Sequence, residues 1–375
     1  MNKEGKVRRI NPFHPRTPAT PELFVGRSYE IDKFCESTYS SAKLNSPSPE
    51  HIAILGNWGM GKTSLLMEFR YIVENELKDE IKCFSLYCTI SSKDGRNWES
   101  FTSHLLREVK KAALMDQRIT EKLKEKLKEW NFGLSVGPIK LEKIKKEGAP
   151  DLEDSLEELW NSHLKPSGFE ICIIYLDDIH NFQFTDEDDL YVDLRNVFQD
   201  LIGRGCNYLL AIATLPEPFY RIAEFAEQFT RYFSHIRPKP FTLDETRSAI
   251  VRRLKSTDQE IQVEEELVKR IHVMAAGHPF VTMLLMSELF KKSSGEVMTL
   301  EELELNMQSI MEDIWNSMFQ GWYDIASEKE RSILLLSSKM GLTVMSAGNF
   351  KSIKNVSNTF ESMVKKELLI NVNAN

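Results

Sequence analysis

HIAILGNWGMGKTSL, residues 51–65, decides how this chain is read. From Gly56 to Thr63 it fills the pattern G-x-x-x-x-G-K-[ST] at every fixed position. Ile52-Ala53-Ile54-Leu55 is a short apolar run suited to a buried parallel strand, and Ser64-Leu65-Leu66-Met67-Glu68-Phe69 begins a helix. A glycine turn that matches by chance is the alternative; the flanking order of strand, loop and helix argues against it.

Each residue type in that loop has a chemical reason. Gly56, Gly59 and Gly61 leave the backbone free to turn its N–H groups toward phosphate oxygens, where a side chain would clash or forbid the dihedrals. Asn57, Trp58, Met60 and Ser64 complete the predicted cradle. Lys62 is placed to reach β and γ phosphates, and Thr63 to offer its hydroxyl to Mg²⁺, at a helix N-terminus that adds partial positive charge.

Ile171-Cys172-Ile173-Ile174-Tyr175-Leu176-Asp177-Asp178 is an apolar run ending in two acids. A central strand of this kind delivers carboxylates to its C-terminal edge. Asp177 would hold Mg²⁺ and Asp178 would orient or deprotonate an attacking water. An Asp-rich turn after a strand is the plainer alternative, and it weakens once the glycine loop stands upstream.

Bulk properties restrict the partners. The 375 residues are too many for one ordinary core, so roughly two or three domains are expected. A hydrophobic fraction of 42% with 28% charged residues is that of a globular chain. Lys and Arg number 48 against 56 Asp and Glu, a net charge of −8, which disfavours a surface built throughout to coat nucleic acid. Five scattered cysteines, Cys35, Cys83, Cys88, Cys172 and Cys206, read as reduced thiols rather than metal ligands, as expected in the cytoplasm. The first residues carry no apolar stretch, and no run of roughly 18 apolar residues occurs, so no membrane partner is expected.

With both motifs in place, the chain resembles P-loop ATPases of the AAA+/STAND group, close to the origin-recognition-like, archaeal-type AAA proteins. The resemblance covers nearly the whole length. Pro21-Glu22-Leu23-Phe24-Val25-Gly26-Arg27, with Glu30, is similar to the F-V-G-R-x-x-E segment of that group, which implies that Gly26 and Arg27 border the adenine. Asn207 to Thr214 resembles the next sheet strand, with Thr214 in the sensor position that feels the γ phosphate. Arg231, before the strand-like Ser234-His235-Ile236, stands where related proteins carry an arginine finger for a neighbouring subunit; an ordinary surface arginine is the alternative. Gly277-His278-Pro279 resembles the G-x-P motif whose proline contacts nucleotide, although a Gly-x-Pro can equally start a helix.

Two departures matter. The second acid is Asp178 where vigorous hydrolases have Glu, and residues 281–289 hold no arginine. Aspartate sets its carboxylate about one methylene back, and an ångström of misplacement costs roughly a hundredfold in rate. Slow turnover suits a switch better than a motor. Leu176-Asp177-Asp178-Ile179-His180 also resembles the L-D-D-h-H of signalling members, in which His180 would sense nucleotide; a structural histidine is the alternative.

The fold class expected is therefore α/β: an AAA+/STAND-like P-loop NTPase with a parallel sheet flanked by helices, over residues 1–241, with an insertion at 115–152 to which no function is assigned. A wholly helical lid over 242–322 follows, and a short winged-helix-like segment over 323–375. Capping boxes at Thr242/Glu245, Thr299/Glu302 and Ser327/Glu330 mark helix starts. Asn11 to Pro21 is expected to run extended over the nucleotide-binding domain. Lys351, Lys354, Lys365 and Lys366, with Ser357, Asn358 and Thr359, make DNA a possible partner of the tail; packing or autoinhibition is the alternative. The functional expectation is an ATP/ADP- and Mg²⁺-dependent switch with slow hydrolysis, with or without a protein partner or self-association. An initiator-like DNA-binding ATPase and an oligomeric motor are the alternatives.

Overall fold

A computed structural model describes residues 9–44, 49–121, 124–125, 151–183, 190–222, 227–340, 346–350 and 353–365. Most of the 115–152 insertion, Lys351 and Lys366 lie outside them. The chain divides into two compact units: residues 27–56 with 62–238, and residues 1–26 with 57–61 and 239–375.

The first unit is built on a five-stranded parallel sheet: β1 (His51–Leu55), β2 (Cys83–Thr89), β3 (Ile171–Asp177), β4 (Tyr208–Thr214) and β5 (Phe233–Ile236), in the spatial order β2-β3-β4-β1-β5. β1, β3 and β4 are buried along their whole length, which is why they read as unbroken apolar runs instead of alternating patterns. The helices are α1 (Ser28–Lys43), α2 (Lys62–Tyr71), α3 (Trp98–Met115), α4 (Leu152–Leu159), α5 (Leu190–Gly203), α6 (Pro216–Ile222) and α7 (Glu227–Arg231). Alternation along β3 divides the core. Cys172, Ile174 and Leu176 join Phe101, Leu105, Leu156 and Phe198 in one cluster. Tyr175 meets Phe34 of α1, which stacks on Phe69 of α2 at 4.0 Å.

The second unit is mainly helical: α8 (Leu243–Lys255), α9 (Glu265–Ala275), α10 (Pro279–Lys292), α11 (Leu300–Ile314), α12 (Gln320–Ile325), α13 (Glu328–Lys339) and α14 (Val356–Lys365). All three capping boxes form: Thr242 with Glu245, Thr299 with Glu302 and Ser327 with Glu330 each bond reciprocally. The expectation of a wholly helical region is corrected in one detail, since β6 (Gln262–Val263) and β7 (Val297–Met298) form a short parallel pair.

The N-terminal segment also differs from expectation, because it packs on this helical unit. Asn11 donates to the carbonyl and hydroxyl of Ser287, Phe13 is buried edge-on to Phe290, and the Arg252 guanidinium donates to the Phe24 carbonyl. Phe13, Val25 and the apolar face of α10 share one core, so burial of two apolar side chains draws the strand-like segment there. Ile333, Phe350, Val356 and Met363 form a separate small core under α13 and α14.

Candidate nucleotide-binding site

Three adjacent strands end together. β4 lies between β1 and β3, so Leu55 pairs with Thr214 at one flank while the end of β3 stands at the other. The order of strands reverses around β1, and the C-terminal edge at such a point is where open parallel sheets bind ligands. Gly56 N–H donates to the Thr214 carbonyl at 3.3 Å, which fastens the start of the glycine loop to β4. Gly59 and Gly61 take φ of 75° and 85°, left-handed values that ordinary side chains rarely adopt, and α2 begins at once with Lys62. Lys62 is only 8% exposed although it carries a charge.

Asp177, at the end of β3, is the centre of the polar cluster. Its Oδ2 accepts from the Tyr87 hydroxyl at 2.7 Å, its Oδ1 accepts from Asp178 N–H at 3.0 Å, and the Thr63 hydroxyl donates to it as well. Burial raises its pKa, with the Asp178 charge acting in the same direction; the Tyr87 and Thr63 hydrogen bonds and the Lys62 charge oppose the rise. Asp178 sits in the left-handed region at φ 59° and opens a short turn, Ile179–Asn181. Backbone strain at a non-glycine residue of this kind costs on the order of 1–3 kcal/mol and is held by its surroundings. Its carboxylate approaches His180 Nδ1 at 3.8 Å, and burial lowers the His180 pKa.

Gly56, Lys62, Thr63, Asp177 and Thr214 are thus brought to one sheet edge, with Ser64 next in α2. Arg231 is not brought there. It ends α7 just before β5 begins, at the N-terminal edge of the sheet, and is exposed in an ion pair with Glu227. Arg27, also left-handed at φ 66°, caps the start of α1 and pairs with Glu30 at 3.6 Å.

The remaining predicted residues belong to the helical unit. Gly26 has φ 68°, and a Cβ there would run into the Glu245 carboxylate. His278 caps α10, whose first residue is Pro279, so the Gly-x-Pro does start a helix. Residues 57–61 cluster with it: Trp58 and Phe280 rings lie 4.2 Å apart, and Phe280 N–H donates to the Gly59 carbonyl at 3.3 Å.

Tyr87, Phe280 and the cap formed by His278 escaped the sequence. Tyr87 reaches Asp177 only because β2 pairs with β3 in a register that sets Thr89 opposite Asp177, leaving Tyr87 diagonal on the same face. No motif carries that signal.

Three solved structures are similar in fold. The ORC2 protein of Aeropyrum pernix, in ADPNP–ADP complexes, matches with TM-score 0.60 and 14% identity over 96% of this chain and 90% of that one. A Walker-type ATPase of Pyrococcus abyssi matches with TM-score 0.53 and 15% identity over 96% and 95%. The ORC1 protein of Aeropyrum pernix, in complex with DNA, matches with TM-score 0.50 and 13% identity over 92% and 85%. No protein-family profile and no curated protein matches the sequence. Among the described residues no helix is long and apolar enough to cross a membrane.

Proposed function

We propose that this chain is an ATP-binding switch that hydrolyses ATP slowly. The observation that carries the reading is the Thr63 hydroxyl bonded to a buried Asp177, directly after a buried Lys62 at the exit of a left-handed glycine loop. Lys62 and the N–H groups of the loop would hold the β and γ phosphates. The residues fit Mg²⁺, since Thr63 and Asp177 offer two adjacent oxygen donors. No group of three or more His, Cys, Asp or Glu suited to a metal occurs among the described residues, so phosphate oxygens and water would complete the shell. Bound there, Mg²⁺ would neutralise charge developing between the phosphates.

Asp178 is the proposed base or water-orienting group. Its short side chain and strained backbone support slow turnover, and His180 at 3.8 Å is positioned to answer a change in its charge environment. Denaturing freshly purified protein and identifying the released nucleotide tests the reading: about one adenine nucleotide per chain supports it, whereas a chain that neither carries nor binds ATP or ADP removes it.

A second reading, an initiator-like DNA-binding ATPase, is favoured by the likeness to a protein solved with DNA. The helices α13 and α14, with the exposed Ser357 and Asn358 near the start of the latter, would supply the contacts, whereas Thr359 is buried with its hydroxyl on the Asn355 carbonyl. Duplex binding that falls steeply with salt supports it, and absence of binding at low salt removes it. The proposed trans role of Arg231 requires self-association, and an R231A protein with wild-type turnover would eliminate it.

A further inference from the structure

The start of α10 does more than begin a helix. Ala276 and Gly277 both take left-handed dihedrals, φ 48° and 69°, and a Cβ on Gly277 would stand 2.4 Å from the Phe241 carbonyl oxygen. The Gly277 carbonyl in turn accepts from Phe241 N–H at 2.7 Å. This turn is locked on both sides, which fixes the direction in which the His278 Cα–Cβ bond leaves the backbone.

That ring is clamped against the glycine loop. Its Nδ1 accepts from Val281 N–H at the helix start, which leaves the proton on the other nitrogen, and the ring donates to the Trp58 carbonyl. Contact is close enough that a Cβ on Gly59 would lie 2.7 Å from His278 Cε1 and 2.7 Å from Phe280 Cβ. One residue on, Phe280 N–H holds the Gly59 carbonyl. Two successive loop carbonyls therefore point at the helix start.

A trans peptide is planar, with its N–H directed opposite to its C=O. Holding the Trp58 carbonyl toward His278 turns the Gly59 N–H the other way, and holding the Gly59 carbonyl does the same for Met60 N–H. Gly59 sits at φ 75°, with no Cβ to resist rotation, so the orientation of this peptide depends on what holds its carbonyl. We infer that His278 is a positioning residue for the phosphate cradle: its ring N–H fixes the Trp58–Gly59 peptide so that the Gly59 N–H faces the nucleotide's phosphates. The inference rests on the nucleotide-binding reading above.

Two substitutions separate hydrogen bonding from packing. His278→Gln keeps a donor at a similar reach, and His278→Phe keeps the bulk without the donor. The full chain is titrated with ADP and with adenosine by calorimetry, and the thermal shift produced by saturating ADP is recorded for each variant. ADP affinity of H278F should fall about tenfold, as expected for loss of one phosphate-directed amide. Adenosine affinity should stay within about twofold, and H278Q should recover most of the ADP loss. If H278F binds ADP as wild type does, or if ADP and adenosine weaken together in both variants, His278 has no positioning role and the nucleotide site itself stands. Wild-type protein that binds neither ligand removes both readings.

Discussion

Replacing Gly59 by alanine perturbs one contact whose cost can be worked out beside an internal control. Both Gly59 and Gly61 have left-handed φ, so alanine at either position costs about 1–2 kcal/mol in backbone strain. At Gly61 nothing lies within 4 Å of the added carbon, whereas at Gly59 it lands 2.7 Å from two side-chain atoms. Overlap of that kind adds about 1–3 kcal/mol, because the start of α10 must move away. The Phe280 amide reports the movement, since an N–H in the first turn of a helix has no intrahelical partner and this one is held by the Gly59 carbonyl. Native-state hydrogen exchange on the apo protein should show this amide about five- to a hundredfold faster in G59A, up to the unprotected rate. In G61A it should stay within about twofold of wild type. Equal exchange in the two variants would refute the packing of the loop on the helix start.

Other outcomes follow from the same structure. D178N should bind MgATP within about threefold of wild type while phosphate release in single-turnover assays falls at least about a hundredfold, since the amide cannot take a proton. Stability should depend on pH through His51, which is fully buried and whose pKa burial lowers to about 3. The folded state holds it neutral and the unfolded chain binds a proton below pH 6.5. Its contribution is therefore intact above 6.5 and is lost as pH falls toward 3, by about 2 kcal/mol between pH 7 and pH 5. H51N keeps an acceptor for Leu210 N–H, and chemical denaturation at the two pH values should show the difference between variant and wild type changing by that amount.

What could be read from the sequence was what depends on neighbours in the chain. The glycine loop, the acid pair after an apolar run and the three capping boxes are local devices, and each formed where its residues stand. β1, β3 and β4 were legible because burial on both faces leaves no polar position to interrupt them. α5, by contrast, went unread although its Leu190, Leu194, Phe198 and Leu201 recur at helical spacing. The N-terminal segment packs on a neighbour that its sequence does not reveal, since the pairing of Asn11 with Ser287 spans the chain and leaves no local trace. Tyr87 and His278 are invisible for the same reason: one needs the β2–β3 register, the other a fold that returns α10 to residues 57–61.

The central claim is that the loop from Gly56 to Thr63 holds a nucleotide's phosphates, and calorimetric titration of MgATP and MgADP into wild-type and K62A protein tests it most directly. Wild type should bind about one nucleotide per chain, and K62A should bind at least about thirtyfold more weakly, the cost of removing a charge-assisted phosphate contact of about 2 kcal/mol or more. Equal affinities in the two proteins, or no binding to the wild type, would contradict the account.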